Sequence, residues 1–299
     1  MALSLTREGS EQLKEEASRR EAAFEPTPEL LARARDYRIA DSHCHIYPSK
    51  IAVKASAAVG VFYDIPMYAG SGDSETLLKN GSLIGVERYI VCSVATKLEQ
   101  VDSINRFIAY ECAQHPEFIG LGAWHEDVPD VDALLDSVAE LGLKGIKVHP
   151  DFQRVGLDDP SLRRLIAAID ERGMRILIHM GDVRYDYSTP AKLAAILERH
   201  DTLKVDAAHY GGFSVWDESM RVLAGSPAYY DVSSSQMFLT PEERATLVEA
   251  FGIDKLMFGV DFPMWNHAAE FARCMEIDLT EEERQALFYG NFARFYDVQ

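Results

Sequence analysis

The sequence is poor in cysteine and has no long apolar run. Its four cysteines show no paired CxxC spacing, and three of them lie in or beside apolar segments; they are Cys44, Cys92, Cys112 and Cys274. We therefore expect reduced, buried thiols. No apolar run is long enough to cross a bilayer, and the first thirty residues lack the apolar core of a signal peptide. These absences lead us to expect a cytoplasmic protein.

Basic residues are also scarce relative to acidic ones. The chain has 30 lysines and arginines against 48 aspartates and glutamates, which gives a net charge of −18 at pH 7. This charge would repel a nucleic-acid backbone or an anionic membrane surface, so we expect neither as a partner. A small-molecule substrate is the better prediction. With 299 residues and 47% hydrophobic side chains, the chain can bury a large core, in one α/β barrel or in two ordinary domains.

Short apolar runs alternate with longer segments of helical period from residue 37 onward. The apolar runs predict eight strands, near 37–45, 88–94, 118–124, 144–149, 175–180, 204–209, 228–233 and 255–261. Eight such strand-then-helix units favour an α/β fold, a parallel (β/α)8 TIM barrel over 37–299, distorted by a long first connection at 46–87. A doubly wound open sheet is the alternative, weakened because no Gly-rich phosphate loop follows the first strand. Residues 7–36 are rich in Glu, Lys, Arg and Ala and are interrupted by Pro26 and Pro28, which predicts an N-terminal helical extension over residues 1–36.

The first predicted strand ends in the segment Asp41-Ser42-His43-Cys44-His45. Because successive side chains of a strand point to opposite faces, Asp41, His43 and His45 share one direction. Two imidazoles that converge in this way form half of a transition-metal site, although an isolated His-x-His favours a metal only about evenly. The remaining ligands must come from later strands.

Later strands also end in polar side chains. His149, His179 and His209 follow one another at intervals of thirty residues, and Asp261 ends the last predicted strand. The carboxyl ends of barrel strands form the mouth where barrel enzymes assemble their sites. A single histidine there is more often a hydrogen-bonded core residue, but the joint occurrence favours a metal site. The two imidazoles of the first strand, with His179 and Asp261, give an N3O set that suits Zn²⁺ with a position open for water.

These motifs resemble the amidohydrolase superfamily. The matching segments are DSHCH at 41–45, GIKVHP at 145–150, LIHMG at 177–181, FGVDFP at 258–263 and YGNFARFY at 289–296. More narrowly, the chain is similar to the amidohydrolase-related branch that holds aminocarboxymuconate semialdehyde decarboxylase together with lactonases and other hydrolases. The resemblance implies that His43, His45, His179 and Asp261 bind one divalent metal, with Zn²⁺ expected, and that His209 is a catalytic group outside the ligand set. It also makes a homodimer plausible.

The expected chemistry follows from these assignments. A bound divalent cation lowers the pKa of its water toward neutrality. We expect Asp261 to accept that proton and later deliver it to a leaving group. His209 would polarise a carbonyl or stabilise an oxyanion.

Lys147 allows a different metal count. In the phosphotriesterase-like branches of the superfamily, a lysine of the fourth strand becomes carboxylated and bridges two metals, and the later histidines bind the second one. Lys147 stands on the fourth predicted strand. It shares a strand face with His149, however, and could instead hold a substrate carboxylate or hydrogen-bond a carboxylate such as Asp41. We favour one metal, because the rest of the pattern resembles the single-metal branch.

Several side chains are predicted to line a substrate pocket at the barrel mouth. The candidates for substrate binding are Lys147, His149, Trp124, Arg184, Tyr68 and Trp265, and Tyr63 lies in the same long connection as Tyr68. For any single loop residue among them, ordinary loop packing is an equally good interpretation. Arg184 and Lys147 would suit an anionic substrate through charge-assisted hydrogen bonds.

Two reactions are compatible with the predicted ligands. We expect a metal-dependent hydrolase, in which a metal-activated water attacks an amide, ester or lactone of a small, anionic molecule. The alternative is non-oxidative decarboxylation of an unsaturated or aromatic acid. A pocket that excludes water and grips a second anionic group would favour decarboxylation, and these features lie in the loops. A non-catalytic scaffold would show a lost ligand, and the sequence retains every predicted ligand.

Overall fold

A computed structural model describes residues 7–299, and these residues form a (β/α)8 barrel. The strands are β1 (Ile39–His45), β2 (Val86–Cys92), β3 (Phe118–Gly120), β4 (Gly122–Ala123), β5 (Gly145–Val148), β6 (Arg175–Ile178), β7 (Lys204–Ala207), β8 (Tyr230–Asp231) and β9 (Leu256–Met257). The helices are α1 (Arg7–Ala22), α2 (Pro28–Ala34), α3 (Ser49–Tyr63), α4 (Ser74–Ser82), α5 (Gln100–Gln114), α6 (Val131–Glu140), α7 (Pro150–Gln153), α8 (Pro160–Glu171), α9 (Pro190–Leu197), α10 (Trp216–Leu223), α11 (Pro241–Phe251), α12 (His267–Met275), α13 (Glu281–Gln285) and α14 (Asn291–Tyr296).

The strands are parallel and close into a ring. Backbone pairing runs from β1 through β2 to β3, from β4 through β7, and from β8 to β9. β3 and β4 are two parts of one barrel strand, interrupted at Leu121. A bridge between Asp206 and Tyr229 joins β7 to the chain at β8, and a bridge between Cys44 and Phe262 joins β1 to the chain after β9. The predicted eight-stranded barrel is confirmed, and the open sheet is excluded because the last strand pairs with the first.

Helix starts follow the signals that the sequence carries. Proline occupies the first turn of α8, α9 and α11, where its missing N–H costs no intrahelical hydrogen bond. The side chains of Asp159, Thr189 and Thr240 precede these prolines and each accept a backbone N–H from the first turn. These caps define where the preceding loop ends and the helix begins.

Helix α1 is attached to two loops of the barrel mouth. The Lys14 ammonium, only 6% exposed, donates to the backbone carbonyl of Tyr63 at 2.8 Å. The buried carboxylate of Glu21 accepts the backbone N–H of Asn266 at 2.5 Å and forms an ion pair with Arg273. The same helix therefore contacts both the end of α3 and the start of α12.

The extension predicted at residues 1–36 contains α1 and α2, and its first six residues lie outside the described part of the chain. Ala17 and Ala34 place one side of each helix in the main hydrophobic core. Among residues 7–299, no helix combines the length and the apolar composition needed to cross a membrane.

Candidate metal centre

A cavity of about 390 Å³ opens at the carboxyl ends of the strands. The predicted site residues that line it are His43, His45, His149, His179 and Asp261. Much of the remaining lining is aliphatic or aromatic, and it includes Ile51, Val59, Met67, Ile104, Phe107 and Phe152. Within the described residues, no lysine or arginine lines this cavity. The cavity therefore combines imidazole and carboxylate groups with apolar walls.

His43, His45 and Asp261 form what we call the carboxylate cluster. Oδ1 of Asp261 lies 3.3 Å from Nε2 of His45 and 3.6 Å from Nε2 of His43. The three ligand atoms lie within 4.8 Å of one another. Two atoms bound at about 2.1 Å to one tetrahedral ion lie about 3.4 Å apart. The spacing and the nitrogen–oxygen chemistry of this cluster fit a divalent transition metal.

His43 is oriented by Asp231 at the end of β8. Its Nδ1 lies 2.9 Å from Oδ2 of Asp231, and both side chains are buried. Burial opposes ionisation of Asp231, but the neighbouring His43 holds the pKa of this carboxyl well below its usual range. The ionised carboxylate accepts the Nδ1–H, which leaves a lone pair on Nε2; this nitrogen lies 2.9 Å from Nζ of Lys147 and 3.6 Å from Oδ1 of Asp261. A carboxylate behind a histidine is the usual support of a metal ligand. The sequence reasoning missed Asp231, although a polar residue near the end of the predicted strand 228–233 was the available signal.

The carboxylate cluster keeps Asp261 ionised. Burial opposes ionisation of Asp261, yet His43 and His45 hold the pKa of Asp261 well below its usual value. For His45, burial lowers the pKa, but Cys92 and Asp261 outweigh it and raise the pKa to about 9. A proton and a metal ion would therefore compete for the ring nitrogen of His45 that faces Asp261.

His149, His179 and His209 form a second group, the imidazole cluster. The rings of His149 and His179 stack with centroids 3.8 Å apart, and Nε2 of His209 lies 3.0 Å from Nδ1 of His179. Burial lowers the pKa of all three rings, to about 4 for His209. These histidines are therefore neutral near pH 7.

The structure places His179 with the imidazole cluster. Its Nε2 lies 3.0 Å from the carbonyl oxygen of Gly181 and does not belong to the group of three ligand atoms around Asp261. His209 is 1% exposed, stacks on His43 at 5.2 Å and does not line the cavity. The fourth-ligand role of His179 and the catalytic role of His209 stay predictions, and the former requires a turn of the ring.

Lys147 is fully buried below the cavity lining. Its Nζ lies 2.9 Å from Nε2 of His43, and burial lowers the pKa of the ammonium. Another group that could hold a metal is formed by His149, Asp151 and His179. Side chains for a one-metal or a two-metal arrangement are thus present in the described part of the chain, and the metal count stays a prediction.

Of the six predicted substrate-binding residues, His149 lines the cavity. The other five do not line it; they are Lys147, Trp124, Arg184, Tyr68 and Trp265. Arg184 forms a bidentate ion pair with Asp182 and donates to the carbonyl of Phe62 at 2.7 Å, so its guanidinium is engaged within the protein. Substrate binding by these five residues stays a prediction.

Two residues near the cavity have contacts that the sequence did not reveal. Trp265 donates through Nε1 to Oγ of Ser234 at 2.8 Å, and Ser234 in turn donates to Oδ2 of Asp261 at 2.6 Å. Tyr63 lines the cavity, with its hydroxyl 2.6 Å from Nε2 of His149. Trp265 therefore supports Asp261 from behind, whereas Tyr63 faces the substrate space.

A closed parallel barrel with a histidine–carboxylate cluster at its mouth defines a TIM-barrel enzyme of the metal-binding type. The chain belongs to the amidohydrolase family, because the family model described as "Amidohydrolase" matches residues 40–298. The predicted resemblance is thereby confirmed.

Several solved structures share the fold. The 5-carboxyvanillate decarboxylase of Sphingomonas paucimobilis is 16% identical with a TM-score of 0.69, over 88% of this chain and 99% of that chain. A 2,6-dihydroxybenzoate decarboxylase complexed with 2,6-dihydroxybenzoate is 15% identical with a TM-score of 0.68, over 88% and 100%. A dihydroxybenzoic acid decarboxylase of Polaromonas sp. JS666, with bound manganese and the inhibitor 2-nitroresorcinol, is 14% identical with a TM-score of 0.67, over 87% and 97%. At these identities the likeness demonstrates the fold.

Proposed function

We propose that this protein is a metal-dependent decarboxylase that removes CO2 from an aromatic acid. The similar structures named above are decarboxylases of aromatic acids. The observation in this chain that carries the proposal is the cavity itself, in which the carboxylate cluster meets walls of apolar side chains. This reaction was the alternative in the sequence analysis, and it now takes precedence over hydrolysis.

The apolar walls favour decarboxylation for two reasons. A substrate carboxylate that loses its water shell is destabilised relative to uncharged CO2, so poor solvation favours breaking the carbon–carbon bond. An aromatic ring can also pack against Phe107, Phe152 and Met264, which line the cavity. A volume of about 390 Å³ is within the range of small-molecule pockets.

The carboxylate cluster would hold the metal, with His179 as the predicted fourth ligand. When bound, the divalent cation would hold the oxygen atoms of the substrate and draw electron density from it. Manganese in the Polaromonas decarboxylase makes Mn²⁺ a candidate beside Zn²⁺. Asp231 would keep the metal-facing nitrogen of His43 unprotonated.

The chain's own side chains must supply a proton to the carbon that loses CO2. We assign this delivery to Asp261, which borders the cavity: its ionised carboxylate would first take a proton from water and then pass it to that carbon, while Ser234 holds its second oxygen. His209 contacts His179 at 3.0 Å, and we assign it the stabilisation of negative charge on the substrate through that ring.

Hydrolysis of an ester, amide or lactone is the second candidate. It would use the same ligands and is favoured by the description of the family model. Hydrolysis requires an activated water molecule in the cavity, whereas decarboxylation is favoured by apolar walls that exclude water.

An assay with two readouts distinguishes these reactions. The protein, loaded with Mn²⁺ or Zn²⁺, is incubated with hydroxylated benzoic acids and, separately, with aryl esters and lactones. We expect CO2 release from an aromatic acid, with one solvent deuterium at the vacated ring carbon when the reaction runs in D2O. Asp261→Asn serves as the inactive control. Acid release with incorporation of ¹⁸O from labelled water, without any CO2, would show that the protein is a hydrolase.

A further inference from the structure

Asp41 stands two residues before His43, but its side chain turns away from the cavity. The pairing of β1 with β2 is irregular between Asp41 and Cys44, and the carboxylate of Asp41 lies on the side of the strand that carries the thiol of Cys44. Asp41 is fully buried and is not part of the cavity lining that the described residues form. It therefore departs from the expectation that it shares the direction of His43 and His45, because alternation holds only along a regular strand.

The carboxylate of Asp41 binds two backbone amides. Its Oδ1 accepts the N–H of His43 at 3.0 Å and the N–H of Val260 at 3.0 Å. His43 lies on β1, whereas Val260 follows β9. Buried backbone N–H groups need an acceptor, and an irregular strand leaves such groups without their usual partners. One carboxylate oxygen thus joins two chain segments at the seam where the last strand meets the first.

Both amides adjoin predicted metal ligands. One belongs to His43 itself, and Val260 immediately precedes Asp261. The N–H of Asp261 in turn donates to the carbonyl of His43 at 2.8 Å. A shift of either segment would therefore change the distance between Nε2 of His43 and Oδ1 of Asp261, which is 3.6 Å.

The backbone of Asp261 needs this support. Its φ angle is +61°, in the left-handed region that is uncommon for residues other than glycine. A residue in this region costs energy and persists where neighbouring contacts fix the chain. The bond from Val260 to Asp41 and the bond from Asp261 to His43 supply two such contacts. Asp41 therefore acts on the backbone that presents the carboxylate of Asp261 to the cavity.

His267, the first residue of α12, holds the second oxygen of Asp41. Its Nε2 lies 3.0 Å from Oδ2 of Asp41, and both side chains are fully buried. No other nitrogen or oxygen of the described residues forms a hydrogen bond with either atom. A buried carboxylate oxygen without a polar partner is costly, so the contact with His267 keeps the carboxylate in its orientation.

We propose that Asp41 is a positioning residue of the metal centre and that His267 orients it. Oδ1 of Asp41 fixes the backbone of His43 relative to the chain that enters Asp261, so that the two ligands meet one cation. The proposal rests on the proposed function for the presence of the metal, but it can be measured by metal binding without any turnover.

The test compares the Zn²⁺ affinities of full-length variants, measured by competition with a chelating dye. Asp41→Glu keeps the charge but displaces the oxygen by one methylene, and we expect its Kd to rise about tenfold or more. Asp41→Asn keeps an oxygen at the position of Oδ1 without the charge, and we expect its Kd to rise less than about threefold. A loss in Asp41→Asn as large as that in Asp41→Glu would mean that Asp41 acts through its charge, and would overturn the proposal.

His267 is tested in the same way. His267→Phe keeps a ring but removes the nitrogens, so its Kd should rise about tenfold. His267→Gln should recover most of the affinity, because its amide can donate to Oδ2 of Asp41. His200→Phe is the matched control, since it removes a histidine that pairs with Asp170 at 2.9 Å and does not line the cavity. This control should keep the wild-type Kd.

Thermal unfolding of each metal-free variant separates positioning from a general loss of stability. Leu197→Ala, on the buried side of α9, should lower Tm and keep the wild-type Kd. Unchanged affinity in Asp41→Glu, or an equal loss of affinity in Leu197→Ala, would overturn the proposal. If His267→Phe does not fold, the two Asp41 variants decide. A wild type that binds no metal would overturn the metal centre itself, whereas CO2 release tests the reaction separately.

Discussion

The two histidine clusters at the barrel mouth have opposite electrical character. In the carboxylate cluster, ring nitrogens face the ionised oxygens of Asp261 and Asp231. In the imidazole cluster, the rings face one another, a backbone carbonyl and the hydroxyl of Tyr63. The same residue type at equivalent strand ends therefore serves two purposes. One cluster concentrates negative charge for a cation, and the other stays neutral and directs hydrogen bonds.

The pKa shifts express this difference. Neighbouring histidines hold the pKa of Asp261 far down against the effect of burial, whereas burial lowers the pKa of His149 and His179. The second cluster carries no charge near pH 7 and so does not repel a cation bound by the first, whereas the ammonium of Lys147, 2.9 Å from Nε2 of His43, would repel it. Single substitutions can test whether metal binding depends on the carboxylate cluster alone or on both clusters.

The largest expected effect comes from Asp261→Ala, which removes the carboxylate of the first cluster. Tight metal retention should be lost and turnover should fall by about 1,000-fold or more, because the metal and the proton carrier disappear together. Metal content after dialysis and CO2 release are the measurements. His179→Ala should have the same two effects if its ring turns toward the ion. Full metal retention in His179→Ala would instead confine metal binding to the carboxylate cluster.

His209→Ala should separate the two clusters most clearly. We expect turnover to fall by about 100-fold or more while about one equivalent of metal per chain remains, because His209 lies behind His179 and outside the carboxylate cluster. Elemental analysis of the purified variant and of the wild type gives the count. Two equivalents in the wild type and one in the variant would establish the two-metal arrangement.

Asp231→Asn should have a smaller effect on the same cluster. The amide no longer fixes the ring of His43 with Nε2 unprotonated, so metal affinity should weaken by about 10- to 100-fold. Competition with a metal-binding dye measures the change. Asp201→Asn, in the exposed turn before β7, should leave the affinity unaltered. An unchanged affinity in Asp231→Asn would mean that packing alone orients His43.

The smallest effect concerns Glu270, a buried carboxyl that has no histidine cluster beside it. Burial raises its pKa to about 8, although Arg273 lies 3.1 Å away. Between its unfolded pKa of about 4.3 and its folded value, the folded protein holds a proton that the unfolded chain has released, so the free energy of unfolding falls as pH rises through this window. Glu270→Gln keeps the neutral form at every pH. From about pH 5 to about pH 8, the wild type should lose about 2 °C or more in Tm relative to this variant.

Thermal unfolding at several pH values measures this difference, with exposed Glu15→Gln as the control. Parallel pH curves for the wild type and Glu270→Gln would mean that Glu270 is ionised throughout. In that case both Glu270 and Asp261 would be ionised, and the histidines beside Asp261 would not be needed to keep a buried carboxyl charged.

The barrel was predictable from the sequence because its signals are local. Apolar runs and the prolines that open α8, α9 and α11 lie within a few residues of the elements they specify. The convergence of His43, His45 and Asp261 was also predictable, because strand alternation and barrel closure together place these ends side by side.

The hydrogen-bond and ion-pair partners of the site residues were harder to predict from the sequence. Arg184 was predicted to bind an anionic substrate, but Asp182, only two residues before it, accepts its guanidinium in the structure. His179 and its partner Gly181 are similarly close in sequence, but strand periodicity says nothing about which way a ring turns. Tyr63 lies in a long connection whose path depends on contacts with α1, so its place at the cavity required coordinates.

Helix α1 precedes the segment that the family model matches, and yet it contacts loops on two sides of the substrate space. A shortened protein that starts at the barrel would lack Glu21, the ion-pair partner of Arg273, and Lys14, which donates to the carbonyl of Tyr63. A ligand screen with this shortened protein would therefore test an altered pocket. Comparisons of selectivity across relatives should therefore align these leading helices as well as the strands.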